Sequence, residues 1–525
     1  MSKTIKPAIF DEHKYNMYLK QMATGSRFAT ENEMKFRLKK ILLNESNDGL
    51  AGVPIISDGR TVYVDDQDNH TLILGSTGSK KTRLFCMPLI NILAHASESM
   101  IITDPKGELL ERNSGYLLSQ GYRIEVLNFR DPKKSNMYWN PLYKPYQLYK
   151  SGEFDKAIEM VSDFVNTLKA KVKSEKDPYW EITSANYIVG VILLLFELAK
   201  DISEVNMKSV VVMAAYAQET NEVELSNLAK FVKDLPKQSL AAIKMLSTLL
   251  NADNTRKSIL GTVDTMLSPF MNSKSLNSLL SKTSFDIANI SKEKTAVFLV
   301  IPDEKTTLHF LASSFIKQSY EVLIDEALKT KERALIKRVN FCLDEFANMP
   351  KITDMPSIIS AARSRNMRFF LVVQSEQQLF NIYQEEAQTI KGNCTNWIFL
   401  TSREKSLLEE IQTLCGKRMV FNREEPLISI SQLQMLDKQR GQALILQGRN
   451  FPYVSYLSDI DDYKVFQGFN PIIIEQLQLE NVRCFDFESF YDQYRSGKYQ
   501  TSDFFKHEFD QEEISKHRKY EFLRK

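Results

Sequence analysis

A phosphate-loop pattern near the start of the chain constrains its fold more than any other feature. The short β-prone run 71–74 leads directly into a loop with two glycines, and an apolar helical pattern follows the loop. This order can bind phosphate, because backbone N–H groups and the helix N-terminus form an anion cradle. An ordinary strand–helix turn is the alternative interpretation. We expect nucleotide contacts from the eight loop residues Gly75, Ser76, Thr77, Gly78, Ser79, Lys80, Lys81 and Thr82.

Two of these eight residues have defined chemical roles, and a third departs from the usual pattern. Lys81 is expected to contact the β- and γ-phosphates of ATP, and the Thr82 hydroxyl is expected to bind Mg²⁺. Lys80 stands where a glycine usually precedes this lysine. That position needs either the backbone freedom of glycine or space for a phosphate. Lys80 either preserves the cradle with an additional positive charge or disrupts it, and both hypotheses stay open at this stage.

Length and composition limit the class of protein. A chain of 525 residues is too long for one simple core, so about two to four domains are expected. Its 43% hydrophobic and 26% charged residues are typical of a soluble globular protein. The formal net charge is only +2, so a DNA-binding surface has to be a local patch or to form by assembly. The five scattered cysteines include no Cys-x-x-Cys pair, which favours a reducing cytoplasm.

The hydropathy pattern predicts neither a signal peptide nor a membrane span. The N-terminus lacks the apolar core of a signal peptide. The longest apolar run covers residues 187–196, well short of the ~20 residues that a membrane-spanning helix needs. We predict that this run forms a buried helix.

The predicted elements divide the chain into α/β parts and a helical part. Strand patterns alternate with helical patterns before residue 150 and after residue 288, which favours a mainly parallel sheet. The long helical patterns between them are typical of an inserted domain. The predicted divisions are an N-terminal helical segment (1–50), the first part of a P-loop ATPase domain (51–150), an inserted all-α domain (151–288), the second part of the ATPase domain (289–465) and a C-terminal tail (466–525).

A second half of the nucleotide site is predicted at residues 339–345, an apolar strand that ends in two adjacent acids. Asp344 would hold Mg²⁺, and Glu345 would polarise the attacking water as general base. A strand that runs into an acidic loop is the alternative interpretation. The position of this strand after the phosphate loop, within one α/β pattern, favours the nucleotide site.

Two further side chains lie where an assembled ATPase would use them. Arg363 or Arg365, at the end of a helical pattern, could act as an arginine finger toward a neighbouring subunit, and we choose Arg363. The alternative is a pair of cations that complement the helix dipole. Gln374 ends the next strand, where its amide could sense the γ-phosphate. A strand-end glutamine without a role is the alternative.

Several segments together resemble one known family, the type IV secretion coupling proteins, which are TraG-like ATPases of DNA conjugation. The resemblance extends from about residue 25 to residue 455 and rests on several motifs in the order of the family. This order is more specific than any single motif. The segments that carry the resemblance are Gly25–Thr30, His70–Thr82, Asp104–Glu108, Asn128–Pro132, Trp139–Leu142, Leu343–Asn348, Ala362–Arg365 and Gln374–Ser375.

The resemblance implies an α/β fold, with a RecA-like P-loop ATPase domain, a mainly parallel sheet and an inserted all-α domain. It also implies a homo-hexameric ring around DNA that uses ATP and Mg²⁺ and delivers a relaxase-bound strand or a protein substrate to a membrane channel. The transmembrane helices usual at the N-terminus of the family are lacking in this sequence. An anchorless member, a membrane partner and a shortened chain all stay open as explanations. We expect a cytoplasmic protein, which reaches the inner face of the membrane through an anchor or channel partner.

We consider three functional hypotheses. The first is an ATP-dependent DNA translocase that couples substrates to a type IV secretion channel, with sequence-independent contacts to single- or double-stranded DNA. The second is a substrate receptor or adaptor whose nucleotide site has lost hydrolysis because of Lys80. The third is a related ring ATPase in another DNA-handling system, such as phage defence. The first and third hypotheses share all their residues.

Overall fold

The computed structural model describes residues 25–45, 49–169, 178–217, 225–420, 423–501 and 504. Residues 1–24, almost half of the predicted N-terminal helical segment, lie outside the described residues. The same holds for 502, 503 and 505–525 of the predicted tail.

The described residues contain fourteen strands and eighteen α-helices. The strands are β1 (Lys39–Leu42), β2 (Val53–Ser57), β3 (Thr61–Asp65), β4 (His70–Gly75), β5 (Ser99–Asp104), β6 (Arg123–Asn128), β7 (Thr295–Val300), β8 (Val339–Leu343), β9 (Met367–Val373), β10 (Cys394–Thr401), β11 (Lys417–Val420), β12 (Arg423–Pro426), β13 (Gln442–Gln447) and β14 (Tyr453–Tyr456).

The helices alternate with the strands outside one long helical region. They are α1 (Glu31–Arg37), α2 (Met87–His95), α3 (Glu108–Ser119), α4 (Tyr143–Lys150), α5 (Phe154–Lys169), α6 (Tyr179–Leu198), α7 (Met207–Ala215), α8 (Asn227–Asp234), α9 (Leu240–Leu249), α10 (Asp253–Asn272), α11 (Lys274–Leu279), α12 (His309–Leu328), α13 (Met355–Ala362), α14 (Glu376–Tyr383), α15 (Glu386–Asn393), α16 (Lys405–Cys415), α17 (Ile430–Gln434) and α18 (Phe487–Arg495).

A nine-stranded sheet forms the centre of the molecule. Its strand order is β14-β13-β10-β4-β9-β8-β5-β7-β6. The strands from β10 to β6 run parallel, and β13 and β14 continue the sheet in antiparallel pairing. Because β4, β9 and β8 are neighbours and parallel, the residues that follow them meet at one edge of the sheet. We call this edge the carboxyl edge and the opposite one the amino edge.

The alternation of side chains along β4 shows how the sheet is buried on both faces. Leu72 and Leu74 contact one core, whereas Ile73, which points the other way, contacts the second. The first core continues into the helical region α4–α11. The apolar character of nearly every residue in β4, β5, β7 and β9 follows from this two-sided burial.

The segment before the phosphate loop forms a small sheet of its own. Its order is β1-β3-β2, with antiparallel pairing throughout. Two of its strands, β2 and β3, lie directly before the phosphate-loop strand β4. The helical interpretation of residues 1–50 is wrong for Lys39–Leu42, which form β1 because residues 61–64 offer them a partner strand. Helix propensity is a weak signal over four residues, and the partner strand decides the outcome.

The helical region lies between β6 and β7. From 129 to 294, the described residues contain helices α4–α11 and no strand, and the divisions at residues 151 and 288 stay predictions. Helix α6 is long and apolar enough to cross a membrane, but 83% of its apolar window is buried against the rest of the chain. The prediction that residues 187–196 form a buried helix is confirmed.

The C-terminal segment crosses from the central sheet to the helical region. Its residue Leu477 donates its N–H to the carbonyl of Lys133 at 2.8 Å, after β6. Helix α18 then packs on the helical region, where Phe487 contacts Tyr216 and Phe231 through ring centroids 5.3 and 6.2 Å apart. The described part of the tail therefore packs on both regions of the molecule.

Candidate nucleotide site

The phosphate loop is a tight turn that begins at the end of β4. Ser76 donates its N–H to the carbonyl of Thr401 at 2.9 Å, which fixes the loop to the end of β10, and Ser79 N–H donates to the Ser76 carbonyl at 3.1 Å. A Cβ atom on Gly75 would stand only 2.6 Å from Ser79 Oγ. Gly78 has φ +77° with no atom within 4 Å of such a Cβ. Space therefore requires a glycine at 75, and backbone conformation favours one at 78.

Lys80 adopts the backbone conformation that a glycine would supply at this position. Its φ is +66°, in the left-handed region, which is unfavourable by about 1–2 kcal/mol for a residue with a Cβ. The pKa of Asp459 is lowered despite partial burial, because Arg83 donates hydrogen bonds to it and Lys80 adds a nearby positive charge. Lys80 thus follows a left-handed backbone path that glycine favours, and its charge lies near the segment after β14.

Lys81 is buried and its ammonium group points back into the loop. Nζ donates to the carbonyl oxygens of Gly75 at 2.5 Å and Ser76 at 3.3 Å. Burial lowers the pKa of Lys81, although the carboxylates of Asp344 and Glu345 favour its charged form. The hydroxyl of Ser79 is buried without a hydrogen-bond partner. This hydroxyl is therefore free to bind another group beside the loop.

Asp344 and Thr82 meet across the sheet. Thr82 Oγ1 lies 3.4 Å from Asp344 Oδ2. The hydroxyl of Thr103 donates a hydrogen bond to the Asp344 carbonyl at 2.8 Å. Burial, reinforced by the charge of Glu345, raises the pKa of Asp344 to about 7, and Lys81 opposes this shift. The carboxylate of Asp344 therefore lacks sufficient positive charge around it in the protein alone.

The two remaining predicted residues of this edge are joined by hydrogen bonds. Gln374, which follows β9, donates through Nε2 to Glu345 Oε1 at 2.6 Å. Its amide oxygen accepts a hydrogen bond from Thr77 Oγ1 at 2.9 Å. Asn348 donates to the other oxygen of the Glu345 carboxylate. Glu345 itself has φ +54°, a conformation that turns the chain sharply at the end of β8.

Arg363 lies at the amino edge, away from the phosphate loop of its own chain. It follows α13 in a single 3₁₀ turn, and its guanidinium contacts Asn69 Oδ1 at 3.3 Å, just before β4. The six residues of β4 separate the two edges by roughly 20 Å. The geometry does not bring Arg363 to the other predicted site residues, so its predicted role requires a neighbouring subunit.

Three features of this edge were not predicted from the sequence. The first is a groove of about 1070 Å³ that opens beside the phosphate loop. The second is the ion pairing of Arg83, which donates to Asp459 at 3.1 Å and also pairs with Asp461. The third is the contact of Asn348 with Glu345. The residues after β10, like Gln374, are polar residues at the end of an apolar strand. The same sequence pattern could therefore have predicted that they lie at this edge. The groove is lined by Ser76, Thr77, Gly78, Ser79, Thr401, Ser402, Arg403, Gln434, Met435, Leu436, Asp437 and Lys438.

Two of the motifs that carry the family resemblance have structural positions. Asp104 accepts hydrogen bonds from the N–H groups of Gly107 at 2.9 Å and Leu110 at 2.8 Å. These bonds fix the start of α3. Burial raises the pKa of Asp104 to about 6, against these hydrogen bonds. Trp139 Nε1 donates to Gln318 Oε1 of α12 at 3.1 Å. These residues connect the strands to the helices rather than contacting the phosphate loop.

Comparison with known proteins agrees with this geometry. The profile of a family described as Type IV secretory system Conjugative DNA transfer matches residues 25–444. The plasmid coupling protein TrwB in complex with the ATP analogue ADPNP has a similar structure, with a TM-score of 0.60 and 15% identity over 86% of this chain and 96% of that one. TrwB in complex with ADP and Mg²⁺ gives a TM-score of 0.59 and 16% identity, over 86% of this chain and 97% of that one.

A curated relative matches only in part. An uncharacterised protein of Bacillus anthracis is 40% identical over 57 residues, which is 11% of this chain and 21% of that protein. The likeness to TrwB confirms the predicted fold class, a RecA-like P-loop domain with an all-α domain. The family profile covers most of the chain, and the resemblance drawn from the sequence motifs is thereby confirmed. This chain belongs to the type IV secretion coupling protein family of conjugative DNA transfer.

Proposed function

We propose that the chain is an ATP-dependent DNA translocase that delivers DNA or protein substrates to a type IV secretion channel. The observation that carries this proposal is the meeting of three strand ends at the carboxyl edge. The loop after β4, the acids after β8 and the glutamine after β9 are in direct contact through Thr82–Asp344, Thr77–Gln374 and Gln374–Glu345. An ordinary strand–helix turn needs none of these contacts.

The residues present fit ATP and Mg²⁺. The orphaned Ser79 hydroxyl, the lysine that contacts only loop carbonyls and the open groove beside the loop leave a place for a phosphate chain. Burial raises the pKa of Asp344, and a bound cation would favour the charged form of this carboxylate. Thr82 and Asp344 would hold Mg²⁺, which when bound neutralises phosphate charge. TrwB has been obtained with ADP and Mg²⁺, which supports the same pair of ligands here.

Each residue of the proposed site has a separate role in hydrolysis. Lys81 and the backbone N–H groups of the loop bind and orient the phosphates. Glu345 accepts the proton of the attacking water, and Gln374, bonded both to Glu345 and to the loop, senses whether a terminal phosphate is present. Arg363, which is remote from its own phosphate loop, stabilises phosphoryl charge in the next subunit.

Assembly and partners follow from the family and from charge. A chain with a net charge of +2 needs repetition of a few cations around a ring to attract DNA, so we propose a homo-hexamer with DNA at its centre. The substrates are a relaxase-bound strand or another secreted protein. A cytoplasmic location, at the inner face of the membrane through an anchor or channel partner, is part of the proposal.

One observation favours a second candidate function. Lys80 strains the phosphate loop, which is expected if hydrolysis has been lost and the chain serves as a substrate receptor or adaptor. A ring ATPase in another DNA-handling system shares the site completely, and identification of the physiological partner separates it from the coupling function.

Hydrolysis of ATP by the purified chain, with and without single- and double-stranded DNA, tests the proposal. We expect activity that rises with DNA and falls at least about a hundredfold in Lys81→Ala. Lys257→Ala is the control, because Lys257 is 68% exposed and pairs only at the surface with Asp253 of its own helix, away from the phosphate loop. A folded wild-type chain that neither binds nor hydrolyses ATP would leave the receptor hypothesis in its place.

A further inference from the structure

The general base proposed above is held on both of its oxygens. Oε1 of Glu345 accepts from Gln374 at 2.6 Å, and Oε2 accepts from the amide of Asn348. Gln374 directly follows β9, the strand beside β8, whereas Asn348 is the third residue after Glu345. Two amide donors from different directions fix the plane of a carboxylate, and orientation of a base is a large part of its effect on rate.

The position of Asn348 depends on the turn that carries it. Residues Phe346–Asn348 form a 3₁₀ turn, closed by the N–H of Asn348 on the Glu345 carbonyl at 2.9 Å. Phe346 is buried and stacks on Tyr383, with ring centroids 5.4 Å apart. The carbonyl of Asn348 faces Nδ1 of His309 at 2.9 Å. The residue whose side-chain amide contacts Glu345 is therefore also in contact, through its backbone carbonyl, with the imidazole of His309.

His309 joins this turn to a second loop. Its Nε2 lies 2.6 Å from the carbonyl of Pro302, which follows β7, and the residue is only 3% exposed. An imidazole always carries at least one N–H, so at least one of the two contacts is a hydrogen bond. The ring spans the gap between the loops after β7 and β8.

His309 is also the first residue of α12, the helix that contacts the helical region. Farther along α12, Ser314 lies 2.9 Å from Thr167 and Lys317 lies 3.4 Å from Asp163, both in α5. Trp139 bonds to Gln318 of the same helix. A displacement of the helical region against the sheet therefore moves the helix that begins at His309.

We propose that Asn348 and His309 are positioning residues for Glu345. Asn348 orients the carboxylate, and His309 fixes the turn that carries Asn348 and ties it to α12. This inference rests on the proposed hydrolysis of ATP and adds to it the residues that make the rate of the chemical step depend on α12.

Variants at Asn348 test the first part. In Asn348→Ala and Asn348→Asp we expect kcat to fall between roughly ten- and a hundredfold, with KM for ATP and the melting temperature unchanged. The aspartate variant keeps the size of the side chain but replaces the amide donor by a second carboxylate. Asn393→Ala is the control, because Asn393 is half-buried, as Asn348 is, and its amide donates to Thr389 of its own helix at 2.9 Å. A structural role alone would change melting temperature without separating kcat from KM.

A double-variant comparison tests the second part. His309→Ala should lower kcat in the same manner, and His309→Ala combined with Asn348→Ala should be no slower than Asn348→Ala alone. Thermal unfolding of each variant checks folding, with His95→Ala as the control at a half-buried histidine bonded to Tyr116. Independent, multiplicative losses would show that His309 does not act through Asn348.

The outcomes separate this inference from the proposed function. A wild-type chain without hydrolysis under any condition overturns both. An active wild-type chain whose kcat survives in both Asn348 variants overturns the positioning roles and leaves the ATPase intact. Loss of kcat in the Asn348 variants with an unchanged KM, together with the non-multiplicative double variant, establishes the pair.

Discussion

The two edges of the central sheet hold their charged groups in opposite ways. At the amino edge, Arg368 has no exposed side-chain surface and pairs with Glu98, while its other nitrogens donate to Asn340 Oδ1 at 2.9 Å and the Ala51 carbonyl at 3.0 Å. Arg338 adds bonds to Glu98 at 3.2 Å and to Asp68 at 2.7 Å. The charges of this cluster are paired with one another within the chain.

At the carboxyl edge, the charged and polar groups are not fully paired within the chain. Asp344 has a pKa raised to about 7 by burial, and burial lowers the pKa of Lys81. The hydroxyl of Ser79 has no partner, and both Lys80 and Glu345 have left-handed backbone conformations. None of these features stabilises the folded chain.

The difference distinguishes structural from functional polar groups within one sheet. Both edges bury charge, but only the amino edge provides the partners that compensate its desolvation. At the carboxyl edge, an unpartnered hydroxyl and two left-handed residues lie beside a carboxylate with a raised pKa, a combination typical of a site that a ligand completes. The comparison predicts that substitutions at the amino edge destabilise the protein, whereas some substitutions at the carboxyl edge stabilise it and abolish activity.

The largest effect on stability is expected at Arg368. Arg368→Met leaves Glu98 buried without its main partner, which should lower the free energy of unfolding by about 3–5 kcal/mol. Chemical denaturation measures this change. Arg440→Met is the control at a side chain that is 78% exposed, where we expect a change within about 0.5 kcal/mol. A loss below about 1 kcal/mol at Arg368 would show that the amino edge is no more than a solvated ion pair.

A smaller effect of opposite sign is expected at Asp344. Its pKa is about 7 in the folded chain against an ordinary 3.8, so the folded chain binds an additional proton between these values. Stability therefore falls as pH rises from about 4 to about 7. Asp344→Asn removes this loss, and at pH 8 without Mg²⁺ or nucleotide the variant should be more stable by about 2–4 kcal/mol.

Thermal unfolding as a function of pH checks the prediction for Asp344. The difference between Asp344→Asn and the wild type should vanish as pH approaches 4. Asp131→Asn, at a side chain that is 45% exposed, should follow the wild type at every pH. A variant at Asp344 that is less stable than the wild type at pH 8 would mean that the carboxylate has sufficient positive charge around it already.

The smallest effect is expected in the phosphate loop. Lys80→Gly relieves the positive φ and should raise the free energy of unfolding by about 0.5–1 kcal/mol, since the gain is partly offset by greater freedom of the unfolded chain. Gly78→Ala is the matched variant. A Cβ there meets no atom within 4 Å, so its expected loss of about 1 kcal/mol reports backbone conformation alone.

The rate of ATP hydrolysis by Lys80→Gly tests whether the strain at Lys80 also affects function. Because Lys80 already adopts the left-handed backbone conformation that glycine favours, we expect the rate of ATP hydrolysis to change little. A large increase in rate would show that the natural loop is a damaged one and would favour the receptor function.

Parallel strands explain why much of the site could be predicted from the sequence. Thr82, Asp344 and Gln374 each follow an apolar run, and the ends of neighbouring parallel strands must meet at one edge. A helical block with few strand signals likewise predicted a helical region between β6 and β7. In both cases a local pattern sufficed, because the period of apolar residues and the order of elements determine the arrangement.

Features that depend on dihedral angles or distant contacts could not be predicted. The residue type at position 80 does not reveal that its φ is +66°. Arg83 pairs with Asp459, which lies 376 residues farther along the chain, and only the packing of the C-terminal segment brings them together. The strand β1 was missed for the same reason, since its partner β3 decides its conformation. Whether Arg363 meets a neighbouring phosphate loop depends on the assembly rather than on one chain.

The measurement that tests the central claim most directly is ATP binding and turnover by Glu345→Gln beside the wild type. If the carboxyl edge is a nucleotide site with Glu345 as its base, the variant should bind ATP as tightly as the wild type, while its turnover falls at least about a hundredfold. Calorimetry gives the affinity and phosphate release gives the rate. Equal turnover by the two proteins, or a wild-type chain that binds no ATP, would contradict the account.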